Sequence, residues 1–146
     1  MIEIRGIHES DKDTWAPLFR AYGVFYRTEF TPEIVDAVFD KLVSDSAEID
    51  GLVAVDDGKV VGFALYRPLY DTFTASTSWF LDDLYVDPSM RGKGAATALI
   101  EAVSEIARAN GGGSVRWFTE ESNETAQRIY NKVATRKPWF TYEKES

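Results

Sequence analysis

The sequence predicts an α+β domain of mixed α/β character, with a central twisted mixed sheet flanked by helices, spanning residues 1–146 as one unit. Three observations lead there. The chain is 146 residues long, enough for one real core but short for two. Its 45% apolar and 27% charged residues are the balance of a globular protein. Its hydrophobic patterns run β-α-α-β-β-β-α-β-α-β, a meander followed by late crossover helices rather than uniform βαβ alternation. No internal repeat or linker-like break divides it.

The elements follow in order. Glu3 to Ile7 alternates as an opening strand. Ser10, Asp11 and Asp13 supply the cap and first-turn acids of a helix bearing Trp15, Leu18, Phe19, Tyr22 and Tyr26, with Pro17 expected in its first turn. Thr31-Pro32-Glu33 is a cap with proline at the first helical position, opening a helix with Ile34, Val35, Val38, Phe39 and Leu42. Leu52 to Val55 and Val60 to Tyr66 are apolar runs joined by Asp56-Asp57-Gly58-Lys59, the turn chemistry of a tight hairpin. Ser78 to Val86 reads as a long strand, and Gly94 to Ala109 as a helix stopped by Asn110-Gly111-Gly112-Gly113. Val115 to Thr119 is a short strand, Ser122 to Val133 a capped helix, and Trp139 to Tyr142 a last strand.

Composition excludes several chemistries. There is no cysteine, so disulfides, thiolate metal sites and a cysteine nucleophile are out, and an acyl group cannot pass through an enzyme thioester. The single histidine, His8, supports neither a histidine triad nor a multi-histidine metal site, and no metal is expected. A net charge of −8 argues against nucleic acid; it suits a cationic amine, though acidity of this size is also ordinary for solubility. No apolar run approaches the roughly 20 residues that cross a bilayer, and MIEIRGIHES has no signal-peptide pattern, so a cytoplasmic location is expected.

The most informative stretch follows the third long strand. Leu81-Asp82-Asp83-Leu84-Tyr85-Val86 runs into Asp87-Pro88-Ser89-Met90-Arg91-Gly92-Lys93-Gly94-Ala95-Ala96, where a helix begins. Glycines allow the positive φ angles that turn several N–H groups toward one point, and a helix start adds free donors and a positive dipole end. Such a pocket suits a diphosphate. An ordinary strand-to-helix turn would look similar, but two sharper rivals fail: G-x-x-x-x-G-K-[ST] is absent, and Thr97 stands where a dinucleotide fingerprint needs its third glycine.

Arg91-Gly92-Lys93-Gly94-Ala95-Ala96 resembles the acetyl-coenzyme A signature [QR]-x-x-G-x-[GA] of the GNAT superfamily of N-acetyltransferases, with the typical lead-in Leu84-Tyr85-Val86-Asp87-Pro88. A second stretch, Trp117 to Tyr130, resembles that family's later motif, a strand leading into N-x-x-A-x-x-x-Y at Asn123, Ala126 and Tyr130. Asn123 and Tyr130 lie two helical turns apart and share a face, with small Ala126 between them. Thr119 to Asn123 and Tyr130 to Val133 look most like the yeast histone and polyamine acetyltransferase group and its bacterial relatives.

The resemblance implies an acyl-CoA N-acyltransferase fold and direct attack of an amine on the acetyl thioester within a ternary complex. Its acceptor is the primary amine of a small molecule, polyamine-like or amino-acid-like, or of a protein lysine. The diphosphate would be held at Arg91, Gly92, Lys93, Gly94, Ala95, Ala96 and Thr97. Leu84, Tyr85 and Val86 would pair with the pantetheine arm, which Asn123, Ala126 and Tyr130 would border. Tyr130 would return a proton to the leaving thiolate. An alkylammonium with a pKa near ~10.4 must lose a proton before attack. Asp82, similar to the acid of diamine acetyltransferases, is taken as its base, while Asp83, as a neighbour in an extended strand, should face the other way. Tyr22 and Tyr26 join Asp82 and Asp83 as acceptor-site residues, with Trp15, Phe25, Phe73, Trp79 and Trp139 as further candidates for the pocket. A non-catalytic acyl-CoA sensor on the same fold is the alternative, which the presence of Tyr130 disfavours. Most relatives end in two strands, where this chain leaves room for one, so a homodimer through the C-terminal strand is expected.

Overall fold

A computed structural model describes all 146 residues, Met1–Ser146. Strand β1 (Ile2–Gly6) leads to helices α1 (Lys12–Phe25) and α2 (Pro32–Leu42). Strands β2 (Asp50–Asp56), β3 (Lys59–Asp71) and β4 (Ser76–Val86) form a meander, followed by α3 (Ala95–Ala109), β5 (Val115–Arg116) and α4 (Glu124–Val133). The strands lie in the order β1-β2-β3-β4-β5; the first four are antiparallel neighbours, and β5 joins β4 in parallel.

Helices cover both faces of this sheet. On one, Trp15 and Phe19 of α1 and Val35 and Phe39 of α2 pack on Val53, Phe63, Leu65 and Tyr85. On the other, Leu99, Ile100 and Val103 of α3 pack on Leu52, Ala54, Ala64, Leu81 and Val86. The central strands β2 and β3 therefore read as unbroken apolar runs, because neither of their faces meets water. Asp57 (φ 51°) and Gly58 (φ 76°) make the left-handed pair that a two-residue hairpin between β2 and β3 requires. Thr31 caps α2 by accepting from the Ile34 N–H at 3.2 Å, with Pro32 at the first helical position.

Several details depart from the sequence reading. Asp11 precedes α1 without capping it; its carboxylate turns back to Arg5 and the His8 N–H. Pro17 stands in the second turn of α1 rather than the first. The one backbone bond it forfeits is to the carbonyl of Asp13; both residues are exposed, so water takes that carbonyl. The expected strand from Val115 to Thr119 is only Val115–Arg116. The expected last strand at Trp139 to Tyr142 does not form: Trp139, Phe140 and Tyr142 are 77%, 88% and 92% exposed in a segment without regular structure. Two-residue β5 offers a further strand almost no ladder to pair with, and Pro138 has no N–H to give.

Candidate active site

The sheet is open between β4 and β5. These strands pair only at Trp79–Val115 and Phe80–Arg116. Trp117 then leaves the ladder to meet Tyr130 edge-on, ring centres 5.4 Å apart, and Phe118 meets Phe80 at 5.2 Å. From Leu81 to Val86, β4 has β3 on one side and no strand on the other. Successive residues of an antiparallel ladder direct their backbone groups to opposite edges. The Asp87 N–H donates to the Val61 carbonyl at 2.8 Å, so Leu84 and Val86, out of phase with it, direct their N–H and C=O groups into the opening.

A bulge in β4 sets the acidic residues. Leu65 of β3 pairs with Asp83 and Tyr66 with Leu81, which leaves Asp82 as the extra residue. The bulge shifts the phase of the strand. Trp79 and Leu81 before it, and Leu84 and Val86 after it, all pack on the α3 face, while Tyr85 packs on the α1 face. Asp82 and Asp83 consequently share the α1 face, and the opposite facing expected of adjacent strand residues does not hold. Asp83 accepts a 2.7 Å hydrogen bond from the Tyr22 hydroxyl of α1. Asp82 accepts one at 3.0 Å from Arg67 Nε and lines a pocket of about 480 Å³ with Ala47, Glu48, Ile49 and Pro68.

Both carboxyls are held above the ordinary aspartate range, chiefly by burial. For Asp83 the Tyr22 hydrogen bond pulls back, the Asp82 charge adds to the rise, and Arg67 opposes it. For Asp82 the charge and hydrogen bond of Arg67 offset part of the rise.

Two tyrosines of α1 stand by this acidic pair, and a third, from α4, lies near them. Tyr22 and Tyr26 stand edge-to-face at 5.1 Å on α1. Burial raises the Tyr22 hydroxyl well above its usual value, with Asp83, Tyr26 and Tyr130 contributing. Tyr26 is raised by burial and then by the charges of Glu120 and Asp83. Tyr130, on α4, is pushed up to about 12 by burial and by Tyr26, so it is a full proton donor at neutral pH. Tyr22 and Tyr130 come from helices on opposite faces of the sheet, and Tyr130 is near enough to add to the rise at Tyr22.

At the end of β4 the chain passes through a short 3-10 turn, Pro88–Met90, into the glycine loop. Gly92 (φ 81°) and Gly94 (φ 83°) both take the left-handed conformation, and no atom lies within 4 Å of where a side chain on either would begin. Gly94 starts α3 with no side-chain cap, and the first helical bond runs from the Ala98 N–H to the Gly94 carbonyl. The N–H groups of Ala95, Ala96 and Thr97 thus find no acceptor within the helix, beside the positive end of its dipole. Arg91 lies over the Tyr85 ring, its guanidinium carbon 5.9 Å from the centroid, and exposed Lys93 adds a second cation. Asn123 caps α4 through the Ala126 N–H at 3.2 Å, and both residues are half-buried beside the opening.

The remaining sequence candidates divide plainly. Trp15 and Trp79 are core; Phe73 and Trp139 are exposed, and Phe25 is exposed with its ring edge-on to Tyr26 at 5.0 Å. His8 is exposed and faces Arg5. Sequence reasoning missed Arg67, and also Glu120, which pairs with Arg27 at 3.2 Å across the end of α1. The bulge had left a trace in the sequence: Trp79 and Leu81, then Leu84 and Val86, change parity across Asp82-Asp83.

A parted pair of strands, an uncapped helix start with free donors, and a carboxylate beside tyrosines thus lie along the free edge of β4. The model of the acetyltransferase (GNAT) family matches residues 15–134, and the chain belongs to that family. It is an N-acetyltransferase similar to several characterised and uncharacterised enzymes. It is 31% identical to D-amino-acid N-acetyltransferase HPA3 of Saccharomyces cerevisiae over 91% of this chain and 84% of that enzyme. It is also 31% identical to the uncharacterized N-acetyltransferase YhfO of Bacillus subtilis, over 90% of this chain and 87% of the other. Among solved structures, a ribosomal-protein-alanine N-acetyltransferase from Brucella melitensis biovar Abortus 2308 superposes with a TM-score of 0.83 at 25% identity, covering all of both chains.

Proposed function

We propose that the protein transfers the acetyl group of acetyl-CoA directly to the primary amine of a small molecule, in a ternary complex and without a metal. The observation that carries this reading is the free edge of β4, running from the acidic bulge at Asp82-Asp83 to the uncapped start of α3. The residues present fit the coenzyme. The N–H groups of Gly94 to Thr97, with Arg91 and Lys93, suit its diphosphate. The edge groups of Leu84 and Val86 suit the amides of its pantetheine arm, as an added strand would.

Each proton then has a place. Asp83 takes one from the acceptor ammonium, its raised pKa making it a better base than an exposed aspartate. We assign the base to Asp83 rather than Asp82 because it stands with Tyr22, whereas Asp82 is occupied by Arg67. The amine nitrogen bonds to the carbonyl carbon, the carbon–sulfur bond breaks, Tyr130 supplies a proton to the leaving sulfur, and the second proton that the nitrogen sheds as the amide forms passes through water to restore the Tyr130 hydroxyl. Edge N–H groups of β4 meet the negative charge that grows on the carbonyl oxygen.

A small amine as acceptor is supported by the relatives' names, among them mouse thialysine N-epsilon-acetyltransferase, 37% identical over about half of this chain. The same reading includes a cytoplasmic setting and a homodimer through residues 138–146, the latter supported by three aromatic side chains standing in solvent. Light scattering should give twice the chain mass, lost on deleting those residues. Free thiol released from acetyl-CoA in the presence of an amine panel tests the chemistry. Intersecting initial-velocity lines are expected; parallel lines, or no release with any amine, overturn the assignment.

A further inference from the structure

We infer that Arg67 is the recognition site for a carboxylate on the acceptor, so that the preferred substrates carry an amine and a carboxylate rather than two amines. The inference rests on the acetyl-transfer reading above and concerns the acceptor half of that site.

Arg67 is an odd residue for the floor of a cleft that binds cations. It lies on β3 across from Phe80, and the β4 bulge carries both aspartates to its side of the sheet. Asp82 takes only its Nε, at 3.0 Å. The two Nη groups donate to no protein partner, and the side chain is 44% exposed. The guanidinium lies over the Phe80 ring, its carbon 5.5 Å from the centroid. Asp82 at Nε and the Phe80 ring thus restrain the side chain, while its Nη pair stays open beside the pocket of Ala47, Glu48, Ile49 and Pro68. A guanidinium with both Nη donors free is suited to planar, bidentate carboxylate recognition.

The charges around it agree. Glu48, on the pocket wall, is already paired with Lys41 at 3.3 Å, and Asp82 with Arg67 itself. Asp83 has no cation in hydrogen-bonding contact, although Arg67 is close enough to bias its ionisation. The α1 face of the sheet thus offers an acid with no cation bound to it, Asp83, and near it a guanidinium with both Nη groups open. An aminocarboxylate satisfies both. A diamine would leave its second ammonium facing Arg67 with no free acid to answer it.

The test uses the full-length enzyme and three amino acids, alanine, lysine and phenylalanine, in both enantiomers, each assayed beside its own carboxamide. The amide removes the negative charge and keeps the shape. The wild type should prefer at least one amino acid over its amide in kcat/KM by about tenfold or more, although the amide's amine is the less protonated. In Arg67→Gln that ratio should fall to near one or below, mostly through a raised KM for the amino acid. Arg67→Lys, which preserves the charge beside Asp82 and loses the fork, should fall between. A wild type that favours the amides or putrescine throughout overturns the inference, as does an Arg67→Gln enzyme that loses amino acid and amide turnover in equal measure. Coenzyme affinity, read by calorimetry, separates the two levels of the argument. Acetyl-CoA bound with no amine acetylated removes the acetyl-transfer reading and this inference together. Amines acetylated without regard to the carboxylate remove this inference alone.

Discussion

Asp11 and Asp83 are both drawn away from bulk water, and their partners differ in kind. Asp11, 5% exposed, receives both Nη groups of Arg5 at 2.8 and 2.9 Å and the His8 N–H at 2.7 Å. Those donors, the Arg5 hydrogen bond first, hold it below the usual carboxylate range against the pull of burial. Asp83 receives one neutral hydroxyl, from Tyr22, and burial wins. The sequence places an acid near a cation in both regions. What separates a structural carboxylate from a reactive one is whether the arginine reaches it: Arg5 forks onto Asp11, while Arg67 is taken up by Asp82 and only colours Asp83 from a distance.

The contrast breaks most visibly in activity. Asp83→Asn keeps an acceptor for the Tyr22 hydroxyl and removes the base, so kcat/KM near neutral pH should fall roughly 10²–10⁴-fold while the fold persists. Asp82→Asn should lose less; if it is the more damaging change, the base assignment is reversed. Asp11→Asn should do the converse. Steady-state kinetics of the folded enzyme should be unaltered, and urea denaturation should show a loss of about 2 kcal/mol, the scale for hydrogen bonds to a charged group.

The two acids should also tilt stability in opposite directions with pH. Asp83, raised in the folded protein, binds its proton more tightly there than in the unfolded chain. Its contribution is present below the unfolded pKa of about 3.9 and is lost as pH rises through the folded value. Asp11, lowered, contributes above about 3.9 and loses that contribution as pH falls through its folded value. Melting curves across pH should therefore show Asp83→Asn gaining on the wild type toward neutral pH and Asp11→Asn converging with it in acid. A pair of variants with the same slope difference would undo the comparison. The smallest effect belongs to Tyr22→Phe. Without the hydroxyl that restrains it, Asp83 should titrate higher, moving the acidic limb of the kcat/KM profile to higher pH with little change on its plateau.

Much of the site was legible because it depends on near neighbours. Asp57-Gly58 makes its hairpin, Thr31-Pro32 and Asn123 start their helices, and Gly92 and Gly94 turn the loop, each through φ angles or caps settled within a few residues. Tyr130 follows Asn123 by two turns on the same helix and packs on Trp117, just past the end of β5. The Asp82-Asp83 register was misread because strand alternation holds only while pairing is regular. The parity change among Trp79, Leu81, Leu84 and Val86 was the warning.

By itself the sequence determined the mixed sheet, the order of its elements as far as α4, the uncapped glycine entry to α3 and the absence of any cysteine chemistry. Tertiary structure decided that β4 and β5 part after two residue pairs, that the bulge falls at Asp82 and brings both aspartates to one face, and that the Tyr22 hydroxyl reaches Asp83. It also decided that Arg67 binds Asp82 and leaves Asp83 free, and that the aromatic tail finds no strand to join. The physical reason is range. Caps and turns are chosen by hydrogen bonds a few residues long. Strand parting, burial and the pairing of charges depend on segments far apart in the chain, whose competition for the same donors and the same dry surface has no local sign.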